Sequence, residues 1–219
     1  MSEVIVDTLK HSGNSGTANV TLASSGAVTT ADDLTVGDNL VATKQNGCQR
    51  IILEQFFTPC DGSVIALQDG NHTITNCSAA QTLNASEVTA TGSEISYTPP
   101  TGTTQVIYEY TYTWDHHDDD PIVNTWLKID GTAVTWSATT SRAHQYGNSK
   151  VSFRWGINIG GSASADSGRQ ASWTSSKTLL VSARAYSTSY EGGLHTAENF
   201  APLSGDVISK PCLGITAIG

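Results

Sequence analysis

The sequence predicts an all-β protein: an extended or small β-rich N-terminal region followed by a β-sandwich or jelly-roll domain. Three observations predict it. Apolar residues recur at every second position in short runs, as they do on strands with one face buried. Polarity comes from Thr, Ser, Asn and Gly while charged residues make up only 14% of the chain, a mixture that suits exposed strands and tight turns better than helices. Gly, Asn, Asp and Pro punctuate the runs at short intervals. A length of 219 residues is enough for one substantial core with a smaller or extended region beside it.

From Val4 to Leu9 the alternation is loose, and HSGNSGTANV interrupts it before Val20 and Leu22 resume the two-residue period. Val28 with its Thr neighbours, then Leu34, Val36 and Leu40, continue the pattern across turns at Gly26 and Gly37-Asp38. Strands this short bury little core within one chain. Association supplies the missing face and covers open edges; a small ordinary β-domain or a partly disordered arm is the plainer alternative. Residues 50–67, RIILEQFFTPCDGSVIAL, are the densest apolar stretch of the first half. Ile51, Ile52, Leu53, Phe56 and Phe57 read as a buried segment, with Ile51, Ile52, Phe56 and Phe57 as candidate subunit-interface residues. Pro59 ends the segment and Asp61-Gly62 makes a turn. The polar stretch that follows admits a short helix or irregular structure around Ala79 to Val88. Pro99-Pro100 and Gly102 look like a hinge, so the expected division is residues 1–92 and residues 95–219.

The strand signal strengthens beyond that point. TTQVIYEYTYTW places Val106, Tyr108, Tyr110 and Tyr112 on one face. VNTWLKI leads into Asp130-Gly131, a hairpin signal, and then AVTWSA. In KVSFRWGINIG, Val151, Phe153, Trp155 and Ile157 share a face; after the Gly- and Ser-rich loop from Gly160 to Gly168, KTLLVSARAY forms another strand and LGITAIG a closing one. At least six strands with no clear helix describe a sandwich or jelly roll, without the Cys-Trp-Cys spacing of an immunoglobulin domain.

Eleven basic against twenty acidic side chains give a formal charge of −9, which disfavours nucleic acid because phosphate neutralisation needs clustered Lys and Arg. No apolar run reaches the roughly 18 residues of a membrane span, and Met1 to Lys10 lacks the layout of a secretion signal, so synthesis in a cytoplasm and no membrane insertion are expected. Cys48, Cys60, Cys77 and Cys212 are widely spaced without a CxxC pair, which favours free or buried thiols over a disulfide or zinc site.

Chemistry has few places to reside. The run Asp115-His116-His117-Asp118-Asp119-Asp120 offers ligands for a divalent cation, but an extended chain points neighbouring side chains apart and the EF-hand offsets are missing; a solvated connection is the favoured reading. Glu191, His195 and Glu198 lie near two glycines that argue against a helix bringing them together, which favours a hydrogen-bonded loop or subunit contact. Arg154 and Arg184 read as paired structural residues, while Arg169 sits in a loop, freer to touch a ligand. Trp114, Trp136, Tyr146, Trp155 and Trp173 could cover sugar faces or fill a core. Arg169, Trp173 and Tyr146 are the candidate ligand contacts. No GxSxG, HExxH or GxxxxGK[ST] pattern occurs, no catalytic, metal or cofactor-binding residue is assigned, and the expectation is that the chain is not an enzyme and needs no cofactor.

EVIVDTLKHSGNSGTANVTLASSGAVTT resembles the N-terminal anchor and shaft segments of tailed-phage structural proteins, especially those of marine phages. SYTPPTGTTQVIYEY, IDGTAV, GRQASWTSSKTLLVSARAY, LHTAENF and LGITAIG look like the globular ends of tail-fibre or head-fibre proteins. The resemblance covers most of the chain but is diffuse and carries no catalytic signature. It implies a virion protein of the short tail-fibre, head-fibre or decoration type: a homo-oligomer, typically a trimer, whose partners are other head or tail proteins and a host-surface glycan, with residues 1–92 serving attachment and oligomerisation. A carbohydrate-binding host-attachment protein is the runner-up, and a surface-polysaccharide-degrading enzyme a distant third.

Overall fold

In the computed structural model the chain divides into two compact units, Met1–Gln49 and Arg50–Gly219. The described residues are 50–115, 122–142, 148–187, 192–197 and 207–219, together with the backbone of five short strands in the first unit. Those strands are β1 (Thr8–Leu9), β2 (Val20–Leu22), β3 (Val28–Thr30), β4 (Leu34–Val36) and β5 (Asn39–Val41). β1, β2 and β3 form one antiparallel sheet in that order, and β4 pairs with β5.

The second unit carries β6 (Ile52–Pro59), β7 (Val64–Leu67), β8 (Gly70–Thr73), β9 (Gln81–Leu83), β10 (Val88–Thr89), β11 (Ile95–Tyr97), β12 (Gln105–Asp115), β13 (Ile122–Ile129), β14 (Thr132–Ala133), β15 (Thr139–Arg142), β16 (Asn148–Asn158), β17 (Lys177–Ala185), β18 (Gly192–Leu194), β19 (Thr196–Ala197), β20 (Val207–Ile208) and β21 (Cys212–Ile218). Two six-stranded antiparallel sheets dominate. In the first, β12 pairs with β16 along its whole length, and its other edge takes β21 and then β18. β21 continues to β6, and β18 to β9. In the second, β17 pairs with β13 on one side and with β10 and β11 on the other, while β14 and β15 share the far edge of β13.

Alternation explains why these faces meet. Val106, Tyr108, Tyr110, Tyr112 and Trp114 of β12 are buried, as are Leu213, Ile215 and Ala217 of β21, Val123, Leu127 and Ile129 of β13, and Leu179, Val181, Ala183 and Ala185 of β17. All but Ala217 belong to one contiguous core cluster, as a two-layer sandwich requires. The tyrosines also carry polar tips that need partners in a dry interior. Tyr108 donates to the Ser93 carbonyl and Tyr110 to that of Thr91, while Ser93 Oγ accepts the Val181 N–H at 3.0 Å. Ser93 therefore ties Tyr108 of the first sheet to the central strand of the second.

The division expected at residues 92–95 falls inside the second unit. β6, β9 and β10 belong to the two main sheets, and Pro99 and Pro100 are buried rather than forming an exposed hinge. No helix occupies 79–88; β9 and β10 are there instead, because Gln81 donates to the Thr89 carbonyl and accepts the Thr91 N–H, clasping two strands across an Asn84–Ser86 turn. Asp130-Gly131 does form the two-residue hairpin loop, with φ of 49° and 77°, the left-handed pair that such turns require.

Candidate functional site

The four candidate interface residues lie on or beside β6. Phe56 packs against the core and Ile51 is half-buried, but Ile52 and Phe57 are 56% and 55% exposed, contrary to the expectation that both are buried. A bulge is the cause. Glu54 pairs with Ala217 whereas Ile52 pairs with Ile218, so Leu53 is the extra residue. This restores Ile52 to the outer face shared by Phe57, opposite Gly214, because cross-strand partners point the same way. Phe57 lies over Gly214, whose position has no room for a Cβ: it would come within 2.6 Å of Phe57 Cδ2.

The candidate ligand contacts do not converge. Trp173 is only 5% exposed, donates its indole N–H to the Tyr97 carbonyl at 3.1 Å and packs edge-on against the Tyr97 ring. Burial has removed its faces from solvent. Arg169 donates to the Gly160 carbonyl and lines a depression with Ile129, Val134 and Lys177, apart from the one beside Trp173. Tyr146, residues 116–120, Glu191 and Glu198 lie outside the described residues. Arg184 stacks on Trp126, 5.9 Å from the ring centre, as a structural reading predicts.

His195 is fully buried. Its Nε2 sits 3.4 Å from the Tyr110 hydroxyl, and its Nδ1 has no partner among the described residues. Burial lowers its pKa to about 4, and burial likewise pushes the Cys60 thiol up to about 12. Cys60, Cys77 and Cys212 are free. Neither a neutral imidazole without access nor an inert thiol makes a reactive centre. Among the described residues no three His, Cys, Asp or Glu side chains converge to hold a metal ion.

A different aromatic pair forms an accessible site. The 3-10 turn Thr135–Ser137 joins β14 to β15. Ser137 turns inward, where its Oγ accepts the Leu127 N–H and donates to the Val134 carbonyl. The intervening Trp136 is thereby turned outward and is 68% exposed. Its backbone N–H bonds the Asp166 carbonyl, and Trp155 of β16 donates its indole N–H to the next carbonyl, that of Ser167, at 3.0 Å. Consecutive residues of one loop thus hold both tryptophans. The groove between them, about 310 Å³, is lined also by Ser137, Thr139, Ser141, Val151, Ser152, Phe153 and Arg154. Trp136 and Trp155 were legible as sugar-face candidates; their shared loop was not.

No protein-family model matches the chain, and no curated protein matches it. Among solved structures the chain is similar to infectious bursal disease virus, Gx strain, at 11% identity and a TM-score of 0.38, covering 84% of this chain and 36% of that one. It is also similar to the VP2 subviral particle of infectious bursal disease virus, at 11% identity and a TM-score of 0.29, covering 71% and 37% respectively. The chain spans little more than a third of the length of either.

Proposed function

We propose that this chain is a structural component of a tailed-phage virion, forming an oligomeric fibre or decoration projection. The observation that carries the reading is the outer face of β6, where a bulge turns Ile52 onto the same face as Phe57 and leaves both more than half exposed. Large apolar side chains left exposed on one sheet face offer a surface for association. The resemblance of the sequence to tail-fibre and head-fibre proteins points the same way. In this reading residues up to Gln49 serve attachment, the sandwich unit is the projecting part, and repeated copies strengthen weak contacts through avidity.

Sedimentation and native mass measurement of the full chain at micromolar concentration test it. A trimer is expected, and Phe57→Asp should weaken association at least tenfold, since burying a Phe is worth about 1.5–3 kcal/mol. A monomer throughout that range overturns the oligomeric reading. An assembly that survives Phe57→Asp and Ile52→Asp together removes β6 from the interface.

A further inference from the structure

We propose that the open edge of β16 takes an extended segment of a second copy of this chain, Glu3 to Asp7, as an added antiparallel strand. β16 pairs with β12 on one side, and among the described residues no strand pairs with its other side. Backbone bonds in an antiparallel ladder fall on alternate residues. The Ile159 N–H bonds the Thr104 carbonyl, which continues the register of β16 on β12 and assigns the odd-numbered residues of β16 to that ladder. The Asn158 carbonyl instead accepts the Gln170 N–H, on the opposite side. Lys150, Ser152, Arg154 and Gly156 therefore turn their N–H and C=O groups along the open edge, and all four residues are exposed. The ligand that satisfies such a row of donors and acceptors is another β-strand.

Charge and shape choose the strand. The side chains of Lys150, Ser152 and Arg154 share the outward face of β16. Lys150 has no ion pair among the described residues, and Arg154 meets Glu109 through Nε at 3.9 Å. A second β16 is a poor occupant, because the register centred on Ser152 sets Lys150 against Arg154. The strand that fits carries carboxylates four residues apart, one for each cation, with apolar residues between them for the inner face. The sequence spaces carboxylates by four at two places, Glu3 with Asp7 and Asp115 with Asp119, and only the first pair has apolar residues between. In the antiparallel register Glu3 lies opposite Arg154, Ile5 opposite Ser152 and Asp7 opposite Lys150, and these three pairs exchange the backbone bonds. Val4 and Val6 then point the other way, toward the groove of about 310 Å³ lined by Val151, Phe153, Trp155 and Trp136. Trp136 is 68% exposed there, and apolar side chains laid over it withdraw that surface from water.

The proposal rests on the oligomeric reading for its second copy, but it uses a different element from β6. Hydrogen exchange of the full chain, resolved to single amides, tests it, because the amides of Lys150, Ser152 and Arg154 lie outside the β12 ladder. At high concentration these three are expected to exchange about tenfold more slowly than in the dilute chain. Glu3→Lys with Asp7→Lys should remove that protection, as should Lys150→Glu with Arg154→Glu, and all four substitutions together should restore it. A synthetic peptide of residues 1–9, added to the full chain carrying Glu3→Lys and Asp7→Lys, should protect the same amides saturably, whereas the peptide bearing those two substitutions should not. Protection that does not depend on concentration would assign the strand to the same copy, and protection that survives Glu3→Lys with Asp7→Lys would assign the edge to another segment; either result overturns the proposal. So would amides left unprotected both at high concentration and by the peptide. Self-association with these amides unprotected overturns strand addition and keeps the oligomeric reading; protection by the peptide in a chain that is monomeric at micromolar concentration does the reverse.

Discussion

At the scale of single residues, several interior groups have structural duties that their chemical type does not announce. His195 sits at φ 66° with an unpartnered Nδ1, and burial holds its pKa down to about 4 against about 6.5 for a free imidazole. Since the folded value lies below the unfolded one, the unfolded chain binds more protons between these limits. Stability from neutral His195 is therefore complete above pH 6.5, falls as pH drops toward 4 and is flat below that, a loss of about 3 kcal/mol at most. Denaturant unfolding at pH 7 and pH 4.5 should show this loss, and His195→Asn, which tolerates the left-handed backbone, should remove that component of the slope. Ser93 makes a second case. Ser93→Ala leaves the buried Val181 N–H without its acceptor, so a cost of about 1–3 kcal/mol is expected from the same assay. These roles escape sequence reading because a lone Ser or His between short strands looks like loop.

At the scale of elements, the long strands were legible and the short ones were not. β12 shows its inward tyrosines directly, because eleven residues of alternation leave little choice of face. β9 and β10 have three and two residues, too few to display a period, and the Gln81 clasp that holds them is invisible in a linear chain. β6 reads as buried from its apolar density, yet the bulge at Leu53 reverses Ile52. Gly214→Ala probes the pairing of β6 with β21. Its Cβ meets the Phe57 ring and stands 3.0 Å from the Phe56 carbonyl oxygen, so a loss of about 1–3 kcal/mol is expected from overpacking. Adding Phe57→Ala should recover the part due to the ring and not the part due to the backbone, which a double-mutant cycle separates.

At the scale of the molecule, the sandwich is closed by its last strand. β21 lies between β6 and β12, joining segments more than 150 residues apart in the pairing of Cys212 with Pro59. A chain ending at Pro211 should therefore lose the cooperative unfolding transition, while one beginning at Arg50 should keep it, since the second unit forms its own core; scanning calorimetry of both distinguishes the cases. The candidate groove belongs to this scale too. Trp136 and Trp155 were recognisable as aromatic candidates, but so were Trp173 and Tyr146, and composition ranks none of them. The sequence by itself determined the all-β class, the inward faces of the long strands and the Asp130-Gly131 turn, because alternation and left-handed turn residues act over a few neighbouring positions. Only the tertiary structure decided which tryptophan is buried, that Ile52 and Phe57 face outward, and where the compact unit begins, because these depend on strand partners and bulges set by contacts distant in the chain.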